Sequence, residues 1–297
     1  MPTTQADRPR LRINLADYAV TKAIKDGRVK SVLADLDYCG PLRAHEGFKS
    51  MVREDAYDAG ELALVTYLQA KAYGKPYVLL PAPILGRFQH HCAGYNGDLG
   101  QMGPKDIEGK QVGVRTYAQT TGLWIRGILR HEYGVDLDKV TWMTLGDGHL
   151  AEYTDPPNCR RLPRGSSIPQ MMMDGGLAAA LLGEDMPKDP RARTLIPDAQ
   201  AAAKDWFARE GVVPINHMFA VHSDLSKKRP DIVRELYRMI VESRSLGEGV
   251  PAVFPPFGLE ANRKGIQLAI DWALDQKIIP RRLSVDELFD DVTANLA

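Results

Sequence analysis

The densest run of chemically capable side chains is RFQHHCAGYN, where Arg87, Gln89, His90, His91 and Cys92 follow one another almost without a break. A histidine changes charge near neutral pH and can give a proton to carbon or bind a metal; an arginine fork can grip a carboxylate through two parallel hydrogen bonds. If the run is extended, His90 and Cys92 share one face while Arg87, Gln89 and His91 share the other, so only one set can enter a cleft. A surface turn, or histidines satisfied by buried hydrogen bonds, would account for the same residues without any function. His217, in VVPINHMFAVH, stands among apolar neighbours where an imidazole is commonly a core residue, but Asn216 beside it makes a polar pair suited to a strand end at a cleft.

Other candidates are more dispersed. The turn TYAQTTG carries Tyr117, Gln119, Thr120 and Thr121, which serve either as turn and cap residues or as the lip of an anion site. Arg126, one turn further on, can face the same cleft or a solvated surface. Glu61, at the head of ELALVTYL, stands where a cleft carboxylate would sit, and Asp174 is its counterpart in a later, similar unit, although Asp before Gly-Gly is equally a turn residue. GDGH, with Asp147 and His149, reads as a loop, His222 as a helix-start residue, and Met171 to Met173 as core packing. There is no P-loop, no G-x-G-x-x-G after a strand, no G-x-S-x-G elbow and no H-E-x-x-H, which argues against nucleotide binding and the commonest hydrolase designs. Cys39, Cys92 and Cys159 are odd in number and lack C-x-x-C spacing, so neither a disulfide framework nor a metal site is indicated.

The elements that must position these groups are legible from periodicity. LRINLADY alternates as a first strand delivering Asp17 and Tyr18 to its carboxyl end, where open α/β sheets hold ligands. Phe48, Met51 and Val52 fall at helical spacing, and ELALVTYLQAKAYG is a short apolar strand running into a helix. SSIPQMMMDGGLAAALLG repeats that grammar as helix, break and strand. YVLLPAPIL suits a proline-interrupted strand crossing between lobes. In GKQVGVRTYAQTTGLWIRGILRHEYG, QVGVR is a strand and GLWIRGILRHEY a helix that Thr120 or Thr121 can cap, leaving its N–H groups free for an anion. TDPPNCRRLPRGSS is an excursion near the cleft or surface. INHMFAVH reads as a strand, residues 229–244 as a helix, and Ile266, Ala269, Ile270, Ala273 and Leu274 as the stripe of another. Ser284 and Glu287 form a capping box. Alternating strands and helices give an α/β class.

At 297 residues and 44% hydrophobic content the chain can bury two lobes' worth of core. The expected division is residues 1–85 for the first part of lobe 1, 86–215 for lobe 2, and 216–297 for a return to lobe 1 with C-terminal helices. Lys plus Arg and Asp plus Glu are 38 each, so no net field draws the chain to nucleic acid or an anionic membrane. The N-terminal stretch MPTTQADRPRLRINLADYAV is charged where a signal peptide needs an apolar run, and no later stretch approaches a membrane span, so a cytoplasmic location is expected.

Taken together, GKQVGVRTYAQTTGLWIRGILRHEYGVD, VVPINHMFAVH and FGLEANRKGIQLAIDWALDQKIIPRRLSVDELF resemble, in order and separation, the blocks of the 4,5-dihydroxyphthalate decarboxylase family. The resemblance implies a type II periplasmic-binding-protein fold: two α/β lobes with a ligand cleft between them. Where the family's pattern is aromatic–Arg–His–Ser at the hinge, this chain has Phe88-Gln89-His90-His91. The activity implied is loss of carbon dioxide from a hydroxylated aromatic carboxylate, with a small aromatic acid as partner and no organic cofactor. A divalent metal is not indicated, and a homo-oligomer is left open. An acid must protonate the ring carbon, an acceptor must polarise the phenol, and cations must anchor the carboxylate that stays. His90 or His217 are the candidate acids, Glu61 or Tyr117 the phenol partners, and Arg87 with the Thr120–Thr121 helix start the anchors. Asp17, Tyr18, His91, Gln119, Arg126 and Asn216 complete the candidate site. A receptor that binds a small anion without turning it over is the competing reading. A related fold with iron-dependent chemistry at His90, His91 and Cys92 is a third.

Overall fold

The computed structural model describes residues 8–296. Its strands, in chain order, are β1 Arg10–Asn14, β2 Asp35–Asp37, β3 Ala59–Ala63, β4 Tyr77–Gly86, β5 Ala93–Asn96, β6 Gln111–Val114, β7 Thr141–Thr144, β8 Cys159–Arg161, β9 Ala179–Leu181, β10 Ala192–Thr194 and β11 Ile215–His222. The helices are α1 Lys22–Lys25, α2 Phe48–Glu54, α3 Leu64–Ala72, α4 Thr120–Tyr133, α5 Ile168–Met173, α6 Ala199–Glu210, α7 Ser223–Lys228, α8 Pro230–Ser245 and α9 Leu259–Asp275. The strands build two mixed sheets, β2-β1-β3-β11-β4 and β10-β5-β9-β6-β7-β8. The first sheet thus takes β1 to β4 and then β11 from far along the chain, while β5 to β10 stay together in the second. No helix among the described residues is long and apolar enough to cross a membrane.

In the first lobe β11 runs antiparallel between β3 and β4. Pro81 and Pro83 lack the N–H a regular ladder needs, so β4 lies at the sheet edge and its pairing with β11 shifts register on both sides of His217. Such irregularities re-aim a side chain. Close approach of β1 to β3 requires Gly60, where a Cβ would fall 2.3 Å from the Asn14 carbonyl oxygen. One face of this sheet is covered by α8, whose Ile232, Val233, Leu236 and Ile240 pack with Ile13, Leu80, Ala82 and Phe219.

The other face joins a core shared by both lobes. Leu62, Leu64 and Leu68 of the first lobe belong to one buried cluster with Val112, Trp124 and Trp142 of the second and with Ile266 and Ile270 of α9. Trp124 donates to the Ile215 carbonyl at 2.9 Å and meets Trp272 edge to face.

Four expectations change in detail. β1 ends at Asn14, so Asp17 and Tyr18 sit in the following loop; Asn14 turns inward to donate to the Ala44 carbonyl at 3.0 Å. His90–Cys92 is a 3-10 turn, so the two-face alternation does not apply there. The N-cap of α4 is Gln119 without a side-chain cap; Thr120 instead accepts from the Val65 N–H at 3.2 Å and so caps α3 in the other lobe. The capping box does form, with reciprocal bonds between Ser284 and Glu287, but it opens a single 3-10 turn, Asp286–Leu288. Residues 1–7, part of the segment behind the cytoplasmic expectation, lie outside the described residues.

Candidate functional site

Glu61 is the centre of the first lobe's contribution. It is wholly buried, yet each carboxylate oxygen is engaged: Oε1 accepts from the Ala16 N–H at 2.7 Å and Oε2 meets His217 Nδ1 at 2.7 Å. The sheet makes this pair, because His217 on β11 stands opposite Ala63 while Glu61 stands opposite Phe219, a diagonal two residues apart. A carboxylate on Nδ1 fixes the tautomer and ring direction, and leaves Nε2 as the nitrogen without an internal partner. The His217 side chain is 14% exposed, so the ring is not sealed in the core. Tyr18 lies near the same carboxylate; burial, then the charge of Glu61, holds its phenol far above the ordinary value.

The second lobe faces this pair across Phe48. His217 and His149 both stand edge-on to the Phe48 ring, with centroids 5.2 and 5.6 Å away. His149 Nδ1 lies 2.6 Å from Thr66 Oγ1 on α3. Burial, then the positive charges of Arg115, Lys49, His45 and His217, pushes the His149 pKa down to about 4. His45 is lowered by burial and by Arg115 as well. Arg115 and Lys49, whose charges act on His149, are both exposed.

The hinge side supplies a third group. Arg87 is ion-paired with Glu184, and its buried Nε has no partner. Gly183, at φ +64°, lets the backbone pass close to both Arg87 and Thr121. Asn216 joins this group, accepting from Gln89 Nε2 at 2.7 Å and donating to Thr121 Oγ1 at 3.4 Å.

Glu61, His217 and Tyr18 therefore form one contact group, and Arg87, Thr121 and Asn216 a second at the hinge, with Thr120 binding the start of α3. Others do not join them. His90 is buried against Trp206, with ring centroids 5.8 Å apart, its Nδ1 unpaired and its pKa lowered to about 4 by burial, His91 and Arg209. His91 lies beside Cys92 Sγ at 3.5 Å. Tyr117 donates to the Gln276 carbonyl at 3.2 Å, and Arg126 lies 3.9 Å over its ring while binding Gln276 Oε1 at 2.8 Å. Tyr117 and Arg126 thus belong to the junction of α4 with the end of α9. Gln119 is partly buried, and Asp17 is exposed in the loop after β1, next to Ala16. Asp174 is bound by its own helix through Gln170, and His222 caps α7.

Arg115, Lys49 and His45 are residues that sequence reasoning missed, and His149 reads there as part of a loop. Only the carboxyl-end position of Arg115, directly after β6, was a usable signal; the rest depend on how the lobes meet. Among the described residues there is no group of three or more His, Cys, Asp or Glu that could hold a metal ion.

No protein-family profile matches the chain. Two curated proteins are similar to it. A 4,5-dihydroxyphthalate decarboxylase of Comamonas testosteroni is 28% identical over 220 residues, 68% of this chain and 64% of the relative, so the match spans less than two thirds of that protein's length. A 4,5-dihydroxyphthalate decarboxylase of Pseudomonas putida is 28% identical over 214 residues, 66% of this chain and 81% of the relative. Among solved structures, the alkanesulfonate-binding protein SsuA of Xanthomonas axonopodis pv. citri matches with a TM-score of 0.58 at 12% identity, covering 95% of this chain and 98% of SsuA. The desulfurization enzyme DSZB matches with a TM-score of 0.56 at 14% identity, covering 97% and 98%. The chain thus has the two-lobed, type II periplasmic-binding-protein-like fold, and in sequence it resembles 4,5-dihydroxyphthalate decarboxylases over two thirds of its length.

Proposed function

We propose that this chain is a decarboxylase of a small hydroxylated aromatic acid, with 4,5-dihydroxyphthalate or a close analogue as substrate. One observation carries the reading: a partly exposed histidine has its Nδ1 held by a wholly buried carboxylate, with Arg115 and Lys49 near the imidazole on the other side of Phe48. Arg115, Lys49 and Arg87 anchor the carboxylates. His217 gives its proton to the ring carbon that bears the departing carboxylate, and Glu61 steadies the imidazolium before transfer. The new C–H bond forms, the C–C bond to carbon dioxide breaks, and its electron pair restores the ring. His217 then takes a fresh proton from solvent. This chemistry calls for no organic cofactor. The curated relatives' names support the reaction class.

The test is incubation of the purified chain with 4,5-dihydroxyphthalate and a panel of hydroxylated benzoates, with and without chelator, followed by carbon dioxide release and mass spectrometry. Product is expected from at least one member, and His217→Ala should lower kcat by on the order of a hundredfold or more. Full turnover by His217→Ala would remove it as the acid. Binding without product from any member would favour a solute receptor.

A further inference from the structure

Away from the Glu61–His217 pair, a recess of about 340 Å³ opens where α6 of the second lobe meets the 252–256 segment and the start of α9. Phe207, Val212, Val213 and Ile215 line one side of it, Val253 and Phe254 the other. Val212, Val213 and Ile215 are buried, whereas Phe207 is 36% and Val253 45% exposed, so two large apolar side chains stand open to solvent at one rim. Contacts around the recess hold its walls in place. The Arg244 guanidinium carbon lies 4.9 Å from the centre of the Phe254 ring, and Nη1 donates to the Pro255 carbonyl at 3.0 Å. Asn262 donates to the Pro256 and Gly258 carbonyls at 2.7 and 2.8 Å. Lys264 ties down the end of α6 through the Glu210 carbonyl at 2.5 Å and its carboxylate at 3.1 Å. A preformed recess of this volume falls in the range of small-molecule sites, about 300–1,000 Å³. Its polar chemistry narrows the occupant. Lys264 is the single charged side chain among the described residues of the lining, and Glu210 already neutralises it. A charged ligand would lose its hydration here and meet no unpaired charge.

We propose that this recess binds a small uncharged aromatic molecule, held between Phe207 of the second lobe and Phe254 of the first. Phenyl groups on both sides suit a flat ring, which gains apolar burial together with ring–ring contact. Because the lining comes from both lobes, an occupant adds contacts across their junction and stabilises the folded chain as its occupancy rises. The recess is separate from the site above, although Ile215, in its lining, opens the same strand that carries His217.

The probe is 5-fluoroindole, uncharged at neutral pH, followed through its fluorine resonance during titration with the full chain. Saturable binding is expected, with a rise in Tm at saturating probe. Ala261 and Val253 are exposed positions on the lining, so both can be changed without disturbing the core. Ala261→Trp fills the recess and Val253→Asp places a charge on its wall. Each should weaken binding by about tenfold or more and cancel the rise in Tm. 5-Fluoroindole-2-carboxylate, the same ring with a negative charge, should show no binding that either variant alters. Excess 3,4-dihydroxybenzoate, the product expected from 4,5-dihydroxyphthalate, should leave 5-fluoroindole bound. Absence of saturable binding, equal binding by both variants, or displacement by 3,4-dihydroxybenzoate would overturn the site. Binding of the carboxylate that is lost in the variants would overturn its preference for an uncharged ring. A dimer in sedimentation that Ala261→Trp splits would mean that a second copy of the chain, not a small molecule, covers the recess. Turnover plays no part in these readouts, so failure of the decarboxylase reading leaves the inference standing.

Discussion

His90 illustrates how a single buried imidazole couples to pH without touching the cleft. Packed on Trp206 with Nδ1 unpaired, it stays neutral in the folded chain down to about pH 4, against an ordinary value of 6.5. Above about pH 6.5 both folded and unfolded states hold it neutral, and it contributes no slope. Between the two values the unfolded chain binds a proton that the folded chain does not, so stability falls as pH drops, by about 1.4 kcal/mol per unit. Denaturant unfolding at about pH 7 and about pH 4.5 should therefore show His90→Leu losing about 2 kcal/mol less stability across the interval than the unaltered chain. An equal loss in both would mean that His90 titrates normally. At this scale the sequence singled out His217 and Glu61 separately but did not pair them. They are 156 residues apart, and the β3–β11 register alone brings them within 2.7 Å. His90 looked as capable as His217 because residue type carries no information about which side of a turn is dry.

Elements were the most legible level, since each core-facing stripe is set by local periodicity. α4 and α9 were both visible as amphipathic runs; their docking was not, because it depends on a glycine whose neighbour lies 145 residues away. At Gly127 a Cβ would fall 1.8 Å from Trp272 Cε3, and that indole is held between Trp124, edge to face at 5.5 Å, and His131, stacked at 5.3 Å. Alanine would normally gain about 0.5–1 kcal/mol over glycine inside a helix. Here the clash dominates, because the indole has no free side to move toward, and overpacking of this kind costs on the order of 3 kcal/mol. Gly127→Ala should thus unfold at lower denaturant with a net loss of about 2 kcal/mol, and a gain in stability would show that α4 and α9 separate easily. The reading of RFQHHC as extended failed for a related reason: apolar–polar alternation over six residues does not distinguish a strand end from a 3-10 turn that buries one histidine.

At the scale of the whole molecule, the sequence suggested two lobes joined by a crossing strand with a ligand cleft between them, and the buried core runs through both lobes by way of α3, α4 and α9. A large apolar interface opposes relative motion of the lobes. The loop after β7 carries Leu150 in that core and is fixed further by polar contacts. Arg53 holds it through the carbonyls of Gly148 and His149, at 3.2 and 2.6 Å; Lys75 pairs with Glu152 at 2.7 Å; and Thr66 meets His149. The half-exposed Lys75–Glu152 pair contributes little by itself, whereas a charged donor on two carbonyls is worth on the order of 1–2 kcal/mol. Removing that donor should loosen the loop without touching Glu61 or His217. Arg53→Ala is accordingly expected to release 3,4-dihydroxybenzoate roughly five- to thirtyfold faster in stopped-flow displacement, with an association rate changed far less. Unchanged dissociation would mean that ligand leaves by another side of the cleft; a matching fall in association would mean that the loop shapes the site rather than closing it.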